Sequence, residues 1–138
     1  MARLDALDFW LGSWSVALRD GTAAGRNTIA RALDGVAVRE HWRGSDGVEG
    51  ESLFYFDPAA QVWRQVWVMP GCIKEKRLVR SEGRERVFAG TACIAGRSFP
   101  DRTTLVANGD GTVSQLIEHS LDGGRTWRAS FDAVYTRA

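Results

Sequence analysis

Apolar and polar residues alternate with a period of two along most of this chain. Val113, Gln115, Ile117 and His119 share one parity, set against Thr112, Ser114, Glu118 and Ser120 on the other. Trp127, Ala129, Phe131, Ala133 and Tyr135 do the same against Thr126, Arg128, Ser130 and Asp132. Such alternation marks strands with one apolar face. Asp122-Gly123-Gly124 supplies the turn between these arms. A three-residue loop there sets His119 opposite Trp127, Ile117 opposite Ala129 and Gln115 opposite Phe131, so the two apolar faces coincide.

The pattern recurs from the start of the chain. Leu4, Leu7 and Leu11 keep helical spacing up to Gly12, which predicts one or two helical turns. Trp14, Val16 and Leu18 then alternate as a first strand. Asp34-Gly35 is a strong hairpin signal; a two-residue loop pairs Leu33 with Val36, Arg31 with Val38 and Ile29 with Glu40, all on one face with Trp42. Residues 51–56 and 62–69 flank Asp57-Pro58, and Trp63, Gln65, Trp67 and Met69 share a face. Residues 73–80 and 84–94 flank Ser81-Glu82-Gly83, and the first of these is charged enough to read as an outer or edge strand. Residues 97–101 read as a loop and 102–108 as a strand. A turn at Asp110-Gly111 sets Arg102 opposite His119 and Val106 opposite Gln115.

About ten short strands at this spacing, with no long helix to cover a sheet, predict an all-β fold. Closing the meander into an antiparallel up-and-down barrel buries the apolar parity and removes the edges. At 138 residues the chain is expected to form a single domain spanning 1–138. A net charge of +1 with interspersed signs argues against nucleic-acid or membrane partners. No apolar run reaches the ~18 residues of a membrane helix, and the first ten residues lack a signal-peptide core, so a cytoplasmic location is expected. Cys72 and Cys93 are isolated and read as reduced thiols. Six tryptophans suit a wide interior surface.

Several stretches carry a resemblance as an ordered set: Leu7 to Trp14 (LDFWLGSW), Glu40-His41-Trp42, Tyr55 to Pro58, Trp63 to Val68, and Ser120 to Trp127 followed by Phe131, Asp132 and Tyr135. Together they resemble a family of bacterial calycin-like, or lipocalin-like, β-barrels. That resemblance implies about ten antiparallel strands with a short N-terminal helix near one mouth, and assigns no reaction. Fatty-acid-binding proteins and the haem-binding nitrobindins are more distant architectural likenesses. The stretch Ser120 to Trp127 also resembles the Asp-box of sialidase-type propeller hairpins, in which the Asp bonds turn amides; a single copy in a short chain reads as a turn device.

Candidate chemistry comes from polar residues that interrupt the apolar parity. Arg31, Glu40, Gln65, Arg102, Gln115 and His119 fall on it, and a buried polar group without a partner costs several kcal/mol. One reading pairs them with one another inside a filled barrel. The leading reading is a cavity walled by Trp42, Trp63, Trp67, Trp127 and Phe131, where these polar groups orient one end of a small hydrophobic or amphipathic ligand. Arg31 or Arg102 would suit an anion. The alternative is a cofactor-free isomerase, cyclase or lyase with Glu40 and His119 as acid and base and Arg102 stabilising an oxyanion. A lesser alternative is haem bound through His119, by analogy with nitrobindin. No metal site is expected, because the two histidines lie on opposite parities, and no cofactor is expected on the leading reading. His41, between Arg39 and Arg43, reads as a surface residue. A homodimer is left open.

Overall fold

The computed structural model describes residues 3–138. Ten strands follow in order: β1 (Gly12–Leu18), β2 (Ala23–Ala32), β3 (Ala37–Gly44), β4 (Glu49–Asp57), β5 (Val62–Met69), β6 (Cys72–Glu82), β7 (Glu85–Ile94), β8 (Arg97–Ala107), β9 (Val113–His119) and β10 (Arg128–Arg137). Each pairs antiparallel with its neighbours in sequence, and β10 closes on β1 through pairs running from Trp14↔Arg137 to Leu18↔Ala133. The fold is therefore an all-β, up-and-down closed barrel. No sheet edge remains among the described residues, so every strand has one face inside.

The expected N-terminal helix is a single 3₁₀ turn, Asp8–Trp10. It sits across one end of the barrel, where Ala6, Leu7 and Trp10 are buried. Trp10 meets Phe54 edge-on at 5.5 Å between ring centres and Tyr135 at 6.0 Å. Trp63 is fully buried and its indole N–H donates to the Arg3 carbonyl at 2.8 Å. With Trp14, Val38, Phe88, Leu105 and Val113 these side chains fill this half of the interior. Arg31 and Arg86 tie the plug down from the rim: Arg31 bridges to Asp8 and bonds the Gly35 carbonyl, and Arg86 donates to the Ala6 carbonyl at 2.9 Å. A helix is not needed here, because a short segment with inward-facing Leu7 and Trp10 already seals the end.

The pairing of β2 with β3 follows the expected register, with Ile29↔Glu40 and Arg31↔Val38. At its tip, however, Leu33 and Val36 are exposed on a four-residue turn in which Leu33, Asp34 and Gly35 all have positive φ. Three other expectations need correction.

Residues 97–101 are strand, not loop, and β8 pairs with β9 one residue away from the predicted register. Asp101 lies opposite His119 and Leu105 opposite Gln115. The turn spans Asn108 to Thr112, closed by Asn108 N–H donating to the Thr112 carbonyl at 3.0 Å. A one-residue slip exchanges the two faces. Asp101, Thr103 and Leu105 therefore point inward, and Arg102 points out.

The β9–β10 loop is also longer than three residues. Asp122 organises it as an Asp-box does: its Oδ1 accepts from the Arg125 and Thr126 amides at 3.0 and 2.9 Å, and Thr126 Oγ1 donates to Oδ2 at 2.6 Å. These bonds hold its carboxyl down at about 2. Trp127 falls before β10 and outside the barrel. A bulge between Ala129 and Phe131 then returns Phe131 to the interior opposite Ile117.

Finally, β6 is neither an outer nor an edge strand. Cys72, Lys74, Lys76 and Leu78 form its inward row, while Ile73, Glu75, Arg77 and Val79 face solvent.

Candidate functional site

The half of the barrel opposite the N-terminal plug is hollow. A cavity of about 440 Å³ opens between the β5–β6 turn at Pro70-Gly71 and the ends of β7 and β10. Trp42, Trp67, Met69, Ile94, Ile117 and Phe131 wall it; Glu40, Gln65, Lys74, Lys76, Thr103, Gln115 and Tyr135 bring polar groups into it. That volume lies in the range of small-molecule sites, and the mix of apolar wall and few convergent polar groups is what such sites present.

Glycines set the positions of both tryptophans. A Cβ on Gly50 would collide with the Trp67 ring, and one on Gly25 would stand 2.8 Å from Trp42 Cζ2. Each indole thus lies against bare backbone of a neighbouring strand and forms part of the cavity wall. Phe131 supports Trp42 edge-on at 5.8 Å.

Two polar clusters meet across the floor. The first is centred on Glu40. Ser52 Oγ donates to Glu40 Oε1 at 2.6 Å, and Asn27 Nδ2 donates to Oε2 at 2.8 Å. Asn27 Nδ2 also donates to the Tyr135 hydroxyl at 2.8 Å, which in turn donates to Gln115 Oε1 at 2.9 Å. These bonds favour the charged carboxylate, as do Lys74 and Lys76. Burial outweighs them and raises the Glu40 carboxyl above its ordinary value. Burial, with Glu40 beside it, likewise raises the Tyr135 phenol far above its usual range. Asn27 Oδ1 is buried with no donor to it, a deficit of about 1–3 kcal/mol. Asn27 is thus placed to serve Glu40 and Tyr135 at the expense of its own acceptor.

The second cluster comes from β6 and β8. Lys76 Nζ lies 2.5 Å from Asp101 Oδ2 and donates to Thr103 Oγ1 at 2.7 Å; Lys74 Nζ lies 3.2 Å from the same Asp101 oxygen. Burial pushes the Lys76 ammonium down to about 8, against the opposing pull of Asp101. Cys72, at the mouth of the same strand, has its thiol raised by burial.

Of the residues singled out in the sequence, Glu40, Trp42, Gln65, Trp67, Gln115 and Phe131 converge on this cavity. The others are placed elsewhere. Trp63 belongs to the packed half and Arg31 to the rim beneath the plug, where it is spent on Asp8. Arg102 stands on the outer face, stacked 4.0 Å above the Trp127 ring and paired with Glu118 at 2.9 Å. His119 packs edge-on against Phe99 at 5.4 Å and does not line the cavity. Haem ligation through His119 therefore finds no support in this geometry, since the imidazole does not line the cavity. His41 contacts Glu49 on the surface at 2.6 Å.

Asn27, Ser52, Lys74, Lys76, Asp101, Thr103 and Tyr135 were not anticipated. The signal for the lysines was present: Lys74 and Lys76 share parity with Cys72 and Leu78. A broader concavity of about 740 Å³ lies over the outer face of β5–β7 around Val66, Ile73 and Ala89. Its Glu75 and Arg77 stand in solvent and Arg64 is paired with Asp57. The chain matches no known protein family and no curated protein.

Proposed function

We propose that the protein binds a small, largely apolar organic molecule inside the barrel, with a polar or anionic end of that molecule on the Glu40–Lys76 floor. The observation that carries this reading is a hollow half-barrel whose walls are aromatic and aliphatic and whose base holds ionisable groups. A barrel selected only for stability would fill that space, because burying Lys76, Asp101 and Glu40 is no cheaper than burying apolar side chains of similar volume. The resemblance to calycin-like barrels agrees with this reading and adds no ligand. Native mass spectrometry and titration with environment-sensitive aromatic probes test it. Uptake of one apolar molecule per chain, competed by other apolar compounds and lost when Trp67 is replaced by Ala, is expected. A barrel that takes up none of them contradicts the proposal.

A second reading is favoured by one specific observation: Glu40 and Lys76 face the same cavity with their acidities shifted towards each other, Glu40 upward and Lys76 down to about 8. Opposed shifts of this kind suit proton transfer on a bound substrate, an isomerase or lyase reaction without cofactor. Lys76, rather than His119, is then the complement of Glu40. Glu40→Gln separates the readings, because it removes turnover of any substrate while sparing probe affinity to within a few-fold.

A further inference from the structure

Four charge-bearing side chains with inward positions surround the cavity floor: Glu40 on β3, Lys74 and Lys76 on β6 and Asp101 on β8. The groups facing Glu40 from its other neighbours are uncharged: Asn27 from β2, Ser52 from β4, Gln115 from β9 and the Tyr135 phenol from β10. Asp101 meets both lysines through one oxygen, so a single negative charge answers two positive ones. With Glu40 ionised the floor is neutral; with Glu40 protonated it carries one surplus positive charge.

Lys74 is the member with room to act. Lys76 is clamped between Asp101 and Thr103 with its side chain only 2 % exposed, whereas Lys74 lies farther from Asp101, keeps 15 % of its side chain accessible and lines the cavity. Its ammonium has donors to spare for a ligand oxygen. An anion brought there while Glu40 is charged would leave a net negative charge in an apolar enclosure, at a cost that a proton on Glu40 removes.

We infer that the cavity takes up aromatic monocarboxylates, the carboxylate seated on Lys74 and the ring between Trp42 and Trp67, and that each binding event loads one proton onto Glu40. This inference rests on the binding reading above and names its ligand class. The step is an ion-pair exchange with no covalent change: a ligand anion and a solvent proton enter together, and the net charge of the floor is conserved.

The test compares 2-naphthoate with 2-naphthamide, which differ in charge and little in shape. Affinity is measured by calorimetry from pH 5 to 8 in two buffers of different ionisation enthalpy, so that protons taken up are counted directly. The acid is expected to bind at least about ten-fold more tightly than the amide. It should take up as much as one proton per chain, with affinity falling as pH rises. Lys74→Met should abolish the preference for the acid while leaving amide binding in place. Glu40→Gln should bind the acid with no proton uptake and little pH dependence. Thermal unfolding of each variant confirms that it is folded. Equal binding of acid and amide, or acid binding without proton uptake in the unaltered protein, overturns this inference and leaves the binding reading standing. Binding of neither compound overturns both.

Discussion

Lys76 Nζ lies 2.5 Å from Asp101 Oδ2, and both side chains are almost sealed from solvent, at 2 % and 1 % exposure. An ion pair in that position is weak evidence for stability but strong evidence of interdependence, since either partner alone is a charge in an apolar barrel. Asp101→Asn is expected to lower stability by about 3–5 kcal/mol, read from denaturant unfolding. The double replacement Lys76→Met with Asp101→Leu should recover most of that loss. A single Asp101→Asn variant as stable as the parent would show that the pair is solvated in the folded protein.

The pH dependence of stability follows from the two shifted groups, which act in opposite windows. Glu40 has a folded value above its unfolded one. The folded state therefore holds that proton more tightly, and stability from this group is full below the unfolded value and lost as pH rises through the folded one. Lys76 is depressed from 10.5 to about 8, so its contribution is fully present above 10.5 and lost as pH falls to about 8. Stability should thus decline as pH rises through the raised Glu40 value and increase again on the alkaline side between about 8 and 10.5, by roughly 3 kcal/mol for Lys76 alone. Unfolding free energies across pH 4–11 for the parent, for Glu40→Gln, and for Lys76→Met combined with Asp101→Leu so that no lone buried charge is left, check this, because each variant should flatten its own limb.

How far the sequence revealed this arrangement depended on whether turn lengths could be read along with the alternation. On β2 and β3 the hairpin at Asp34-Gly35 fixed the register, and Ile29↔Glu40 follows the expected pairing. That placed Glu40 and Trp42 inside. On β5 the alternation of Trp63, Gln65 and Trp67 was unbroken, and Gln65 and Trp67 line the cavity, whereas their depth along the barrel, which separates Trp63 from them, leaves no trace in periodicity. On β8 a turn one residue different from the one assumed exchanged Arg102 for Asp101. The bulge near Ser130 kept Phe131 inside although Trp127 lies outside, and bulges carry no reliable local signal. Lys74 and Lys76 were hidden by the assumption that charge means solvent, an assumption that fails once closure gives every strand an inner face.

The glycine beneath Trp67 offers a test of cavity shape without touching any polar group. Gly50 is buried on β4 opposite Trp42, and a Cβ there would meet the Trp67 ring. Gly50→Val should push that indole into the lumen, reducing affinity for aromatic probes by about ten-fold or more, on the order of 1.4 kcal/mol. Overpacking of this kind is expected to cost about 1–3 kcal/mol of stability as well. Probe titration together with tryptophan fluorescence distinguishes a displaced ring from a merely weakened fold.

Arg102 provides the contrasting case, because the alternation alone would have made it an anion-binding residue. It lies on the outer face with its guanidinium 4.0 Å from the Trp127 ring centre and 2.9 Å from Glu118. Its side chain is 36 % exposed, so solvent screens the pair and the stacking contact dominates. Arg102→Ala should therefore cost no more than about 1 kcal/mol of stability and leave 2-naphthoate affinity and proton uptake as they are in the parent. Lys74→Met should do the reverse, changing discrimination between acid and amide far more than the unfolding midpoint. If Arg102→Ala instead abolished binding of the acid, the β8–β9 register would have to be the other one, with Arg102 inside and Asp101 in solvent. Lys76 would then lose its counterion, and the charge balance of the floor would fail with it.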